Sequence, residues 1–207
     1  LNFDNSGWIG QDIISARLKL YLNWSWSCTA RNFSVYAVSP ATTSTRWANA
    51  PAMAGTAVAK SVAAGYNSSC PATIVDTDVT LLTKNMPVVI ANRAGFGIKS
   101  SNESDSFGWK RFNSANASSN QPTLTVTYNR YPKTPVTPSL SDATQVNGVL
   151  TAGSWKPTLS SSAFDPDGSD VTLTFNSYAD SAFSIPIGAF CTVKLHSGVT
   201  GSCRPST

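Results

Sequence analysis

Residues 123–129, T-L-T-V-T-Y-N, alternate strictly, with Thr123, Thr125 and Thr127 on one parity and Leu124, Val126 and Tyr128 on the other. Successive strand side chains point to opposite faces, so this stretch predicts a half-buried strand with its threonines toward water. Pro122 and Pro132 flank it, where the missing N–H of proline does least harm to a ladder. The same period recurs near the start, where Ile14, Ala16, Leu18, Leu20 and Leu22 oppose Ser15, Arg17, Lys19 and Tyr21. Further strands are predicted for N-F-S-V-Y-A-V at 32–38, the small-residue stretch 55–63 and 94–99. Asn23 to Cys28, which includes Trp24 and Trp26, is expected to be an aromatic loop. The segment from Asp76 to Met86 departs from alternation. Val79, Leu82 and Met86 fall on one helical face, predicting a short helix opened by an Asp or Thr cap and stopped by Pro87. Trp47 is expected to plug the edge of the core. Farther on, Val171, Leu173 and Phe175 alternate with Thr172 and Thr174, and D-P-D-G-S-D at 165–170 is the turn leading into that strand.

Texture changes at Tyr131–Pro138, where closely spaced prolines favour an extended spacer. This gives an expected division into a domain at 1–131, a Pro-rich linker at 132–138 and a smaller domain at 139–207. The chain of 207 residues is long enough for both. Charged residues make up 13% of it, against about a quarter in ordinary globular proteins. Ser, Thr and Asn replace them, as in secreted β-rich chains. The net charge of +4 is scattered and forms no basic stripe, which argues against a nucleic-acid partner. No apolar run approaches the roughly 18 residues a membrane span needs. The opening L-N-F-D-N reads as mid-strand, as in a mature segment or a fragment lacking its first strands. Four cysteines allow three pairings and include no Cys-x-x-Cys unit of a zinc site. Pairing within each domain favours Cys28–Cys70 and Cys191–Cys203, and an oxidising compartment.

The block N-E-S-D-S-F-G-W-K-R-F-N-S, followed by N-Q-P-T-L-T-V-T-Y, resembles the C-terminal end of the DNRLRE domain. I-S-A-R-L-K-L-Y, T-R-W-A-N-A-P and D-V-T resemble further blocks of that family. The resemblance implies a β-jelly-roll module, N-terminally truncated here, in a large secreted or surface-attached bacterial protein. It also implies a short helix after D-V-T and, for some relatives, carbohydrate binding. W-K-P-T-L-S-S-S-A-F-D-P-D-G-S-D-V-T-L-T-F resembles part of an immunoglobulin-like module. The expected fold class is therefore all-β: a jelly-roll β-sandwich with one short helix, then a small, incomplete immunoglobulin-like domain.

Three groups of side chains are candidates for chemistry. Trp24, Trp26 and Trp109 could stack sugar rings, although the parity that Trp24 and Trp26 share with Leu18, Leu20 and Leu22 favours burial. Asp165, Asp167 and Asp170 surround a glycine turn and could offer hard oxygens to calcium, but lack the glutamate that completes an EF-hand. The alternative is a solvated turn. Glu103 and Asp105 stand side by side on an extended segment, which suits a structural loop better than an opposed acid and base. His196, the single histidine, has no nucleophile motif around it. The leading expectation is a non-catalytic module that binds a polysaccharide or mediates adhesion beside neighbouring domains of a larger chain. A spacer without ligand is the alternative, and an enzyme is the weakest reading.

Overall fold

A computed structural model describes residues 1–86 and 92–205. The chain divides into two compact units, Leu1–Asn129 and Arg130–Thr207. The strands of both pair antiparallel.

The first unit holds strands β1 (Asn2–Phe3), β2 (Asp12–Ser25), β3 (Arg31–Val38), β4 (Ala57–Val62), β5 (Thr73–Asp78), β6 (Ala94–Ser100), β7 (Lys110–Phe112) and β8 (Thr123–Asn129). One sheet runs β1-β6-β3-β4, and the other runs β5-β2-β7 with β8 also on β2. Strand β2 is long enough for β8 to pair with Asp12–Lys19 and β7 with Leu22–Ser25. Leu18, Leu20 and Leu22 from β2 meet Phe33, Val35 and Phe96 from the opposite sheet in one core. Each of these leucines is essentially solvent-free, a contribution of about 1.5–3 kcal/mol apiece from apolar surface removed from water. The alternation in β8 holds as predicted, with the threonines exposed and Leu124, Val126 and Tyr128 against the core.

Strand β2 departs from simple alternation twice. Between Ile13 and Ser15 its partner β8 advances by one residue only, so the strand bulges. Ile13 is buried as a result, and Ile14, expected on the core face, is 58% exposed. A second bulge lies between Leu22 and Trp24 opposite β7. It reverses the parity again: Ser25 is buried, and Trp26 is 50% exposed. An inserted residue exchanges the two faces of every position beyond it, which is why parity with the leucines misassigns Trp26, whereas Trp24 is half-buried. The expected aromatic loop is thus, through Ser25, still strand.

The predicted helix is α1 (Thr80–Lys84). Strand β5 runs on to Asp78, so Asp76–Asp78 belong to the sheet. The N-cap of α1 is Val79, with no side-chain cap bond, in place of the expected Asp or Thr; Asp78 Oδ1, one residue earlier, accepts from the Thr80 N–H at 2.9 Å. Val79 and Leu82 are buried, with Met86 packed beside them. Pro87 lies outside the described residues. Trp47 is a correction: it stands 94% exposed at the start of a 3-10 turn, Trp47–Asn49. Hydrogen bonds among residues 42–49 hold this loop together without the ring.

The second unit contains β9 (Ser139–Leu140), β10 (Ala143–Val146), β11 (Val149–Ala152), β12 (Leu159–Ser162), β13 (Val171–Tyr178), β14 (Pro186–Leu195) and β15 (Thr200–Cys203). Sheet β9-β12-β15 and sheet β13-β14 share a small core, while β10 and β11 form a separate hairpin. Val171, Leu173 and Phe175 are buried as their alternation predicts. The Pro-rich stretch is hydrogen-bonded within this unit. Lys133 N–H donates to Phe164 O at 2.8 Å and Val136 N–H to Ser162 O at 2.9 Å. Only the prolines lack donors, so the residues between them can still pair along a strand edge.

Candidate functional site

The C-terminal ends of β2 and β6, the start of β3 and strand β7 meet at one end of the first unit's sandwich. They enclose an open groove of about 420 Å³ lined by Trp24, Phe33, Ile98, Lys99, Trp109 and Lys110, among others. The pairing of β2 with β7 creates this meeting, because it sets Trp24 opposite Arg111 and Ser25 opposite Lys110. One step farther, Trp26 N–H donates to Trp109 O at 3.3 Å. The rings of Trp24 and Trp26 touch edge to face, with centroids 5.5 Å apart. Trp109 is 60% exposed. The three tryptophans singled out in the sequence therefore come together.

Their backbone is firmly held. Ser25 Oγ donates to Ala64 O at 2.6 Å, and Ser25 N–H donates to Gly65 O at 2.9 Å. Gly65 has φ +79°, and a β-carbon there would lie 3.1 Å from the Trp24 backbone, so only glycine lets the two chains approach this closely. Cys28 and Cys70 are bonded, closing the loop that follows the tryptophans onto the turn at 66–70.

Lys99, Ser100, Glu103 and Lys110 are the polar side chains of the groove lining, and further polar pairs lie on the adjoining strands and turns. Asn23 Nδ2 donates to Asn113 Oδ1, and Arg111 Nε to Asn23 Oδ1, each at 2.6 Å. Arg31 Nε donates to Asp105 Oδ2 at 2.6 Å. That hydrogen bond, helped by the Phe107 N–H, holds the Asp105 carboxyl below the usual carboxylate range. Burial pushes the Lys110 ammonium down, and the nearby Arg31 charge adds to the effect. Sequence reasoning missed Lys99, Lys110, Arg31 and Arg111. The cluster F-G-W-K-R-F at 107–112 carried the signal, an aromatic and basic run beside a turn.

The other candidates are differently placed. Glu103 lies 3.9 Å from Lys99 Nζ, and Asp105 is paired to Arg31, so neither faces the other as acid to base. The three aspartates proposed for calcium each have a separate partner. Buried Asp165 accepts from the Asp167 and Ser169 N–H groups through Oδ1. Asp167 binds Arg130, and Asp170 binds Lys194 and His196. Among the described residues no group of three His, Cys, Asp or Glu side chains is placed to hold a metal ion. Asp165 closes the turn from within, which is the structural alternative the sequence offered. Cys191 and Cys203 are bonded as expected, but they join β14 to β15 in different sheets, so the link staples the small sandwich rather than a hairpin.

A sugar ring carries an apolar face of C–H bonds and a rim of hydroxyls. Indole rings held rigidly beside amides and charges in an open groove meet both needs. The first unit is in class a carbohydrate-binding module. Residues 1–128 match carbohydrate-binding module family 96, and the chain belongs to that family. No curated protein and no solved structure shows a significant match. Among the described residues no helix is long and apolar enough to cross a membrane.

Proposed function

We propose that the first unit binds a polysaccharide in the groove where β2, β3, β6 and β7 meet, with Trp24 and Trp109 of its lining and the adjoining Trp26 as its stacking surface. The observation that carries this reading is the half-exposed pair Trp26 and Trp109, hydrogen-bonded backbone to backbone where the strands meet. Rings that pack a core lose their exposure, whereas these keep it on a backbone that four elements and a disulfide immobilise. Preorganised rings cost little ordering when a ligand arrives. Lys99, Lys110, Asn23 and Arg111 offer hydrogen bonds to hydroxyls or to charged substituents.

The module carries out no reaction of its own in this reading and serves a larger chain. The resemblance to the DNRLRE family, borne by blocks inside the matched segment, supports a bacterial protein that is secreted or surface-attached, and a role in adhesion. Two disulfides agree with an extracellular setting. Residues 139–207, which follow the Pro-rich stretch at 132–138, are read as a partial immunoglobulin-like module that adjoins neighbouring domains.

Affinity electrophoresis and calorimetry against neutral and uronate-containing polysaccharides test the proposal. Trp109→Ala and Trp26→Ala should each lower affinity about tenfold or more, with the melting temperature unchanged. Wild-type protein that binds none of the polysaccharides would overturn the reading and leave the first unit a spacer.

A further inference from the structure

A second cleft, of about 330 Å³, adjoins the groove and is lined by Arg31, Asn32, Ser101, Asn102 and Asp105. Ser100 and Gly108 line both cavities. The two differ in chemistry, since the groove has aromatic walls and the cleft has none. Arg31 is fixed by Asp105 on one side and donates through Nη1 to Ala30 O at 3.2 Å on the other. Ser101 Oγ bonds Ser34 Oγ at 2.7 Å, and Asn102 Oδ1 accepts from the Ser104 N–H at 3.1 Å. Asn32 is exposed. Arg31, Ser101 and Asn102 are held in place by their own neighbours, so they are preorganised to meet hydroxyls, and Asn32 adds an exposed amide beside them.

The boundary between the cavities depends on one glycine. A β-carbon at Gly108 would come within 2.9 Å of Ser100 Oγ, the hydroxyl that donates to Asn102 O at 2.8 Å. Any side chain at 108 would push Ser100 off this bond and raise the wall between the cavities.

Resting on the carbohydrate-binding reading above, we infer that the Arg31–Asn102 cleft is a second sugar subsite and that the module binds an internal stretch of chain lying over Gly108. One sugar stacks in the aromatic groove, and its neighbours on the same chain are held by hydrogen bonds in the polar cleft. Affinity then depends on chain length, because a short oligosaccharide fills only the groove.

The test uses oligosaccharides of two to six sugars, released from whichever polysaccharide the full chain binds best, and measures affinity by calorimetry. The hexasaccharide should bind about tenfold or more tighter than the disaccharide. Asn32→Ala should lower that ratio, as should Gly108→Ala, with near-ultraviolet circular dichroism confirming that both variants fold. Equal affinity at all lengths overturns the second subsite, as does an unchanged ratio in folded Asn32→Ala. Either result leaves the stacking surface intact if Trp109→Ala still weakens disaccharide binding. If no oligosaccharide and no polysaccharide binds, both readings fall together.

Discussion

Among the described residues, fourteen buried apolar side chains form one core between two four-stranded sheets in the first unit, whereas four form the core between a three-stranded and a two-stranded sheet in the second. The smaller unit closes its two sheets with Cys191–Cys203. The larger unit's disulfide lies at its edge, beside the aromatic groove, and joins loops rather than sheets. The same kind of bond therefore has two uses. A small core gains most from a cross-link that restricts the unfolded chain, and a large core can spend its cross-link on positioning a surface.

The comparison can be broken by truncating either core. Leu20→Ala in the first unit should cost about 2–5 kcal/mol, seen as a lowered urea midpoint for a unit that still folds. Leu173→Ala should cost a similar amount but leave the second unit unfolded, read from lost hydrogen-exchange protection in β13. A second unit that tolerates the change as well as the first would refute the contrast. Next in size is the double change Cys191→Ser/Cys203→Ser, expected to cost about 3 kcal/mol and to melt the second unit. The counterpart Cys28→Ser/Cys70→Ser should leave the first unit folded while weakening glycan binding.

Acid sharpens the comparison further. Asp105 in the first unit is held down by its Arg31 hydrogen bond, and Asp167 in the second by the Arg130 backbone and side chain. A carboxyl whose folded pKa is depressed stabilises the fold above its unfolded value, near 4, and loses that contribution as pH falls through the folded one. Melting temperatures of both units should hold steady from pH 7 to about 5 and decline below about 4, the smaller unit failing first. The smallest effect concerns Thr77, whose buried Oγ1 has no hydrogen-bond partner among the described residues. Thr77→Val keeps the shape and removes that hydroxyl, so stability should stay level or rise by up to about 1 kcal/mol.

Strands with sustained alternation were legible in the sequence. Leu124, Val126 and Tyr128 pack on the core, and Val171, Leu173 and Phe175 are buried, because local parity fixes the face wherever no residue is inserted. Ile14 and Trp26 were misread for the opposite reason: a bulge leaves no mark in composition or period. The tryptophans were recognisable as a set, but their meeting depends on pairing residues 24–25 with 110–111, far apart in the chain. The aspartates at 165–170 are neighbours in sequence, but the partner each one takes was not legible there. Arg130 and Lys194, which pair with two of them, approach through tertiary structure.

The bulge at Asn23 has a consequence for how such a surface could arise. A fully paired β2 would send Trp24 and Trp26 inward and Ser25 to water. With one residue added, the leucines behind it keep their places, Ser25 turns inward and Trp26 emerges. The difference between an inert sandwich end and an aromatic one is thus a single codon gained or lost. Point substitution would need to change several side chains to do the same. Insertion and deletion at strand ends are accordingly a short mutational route by which this scaffold could acquire or abandon a ligand surface without first losing its fold.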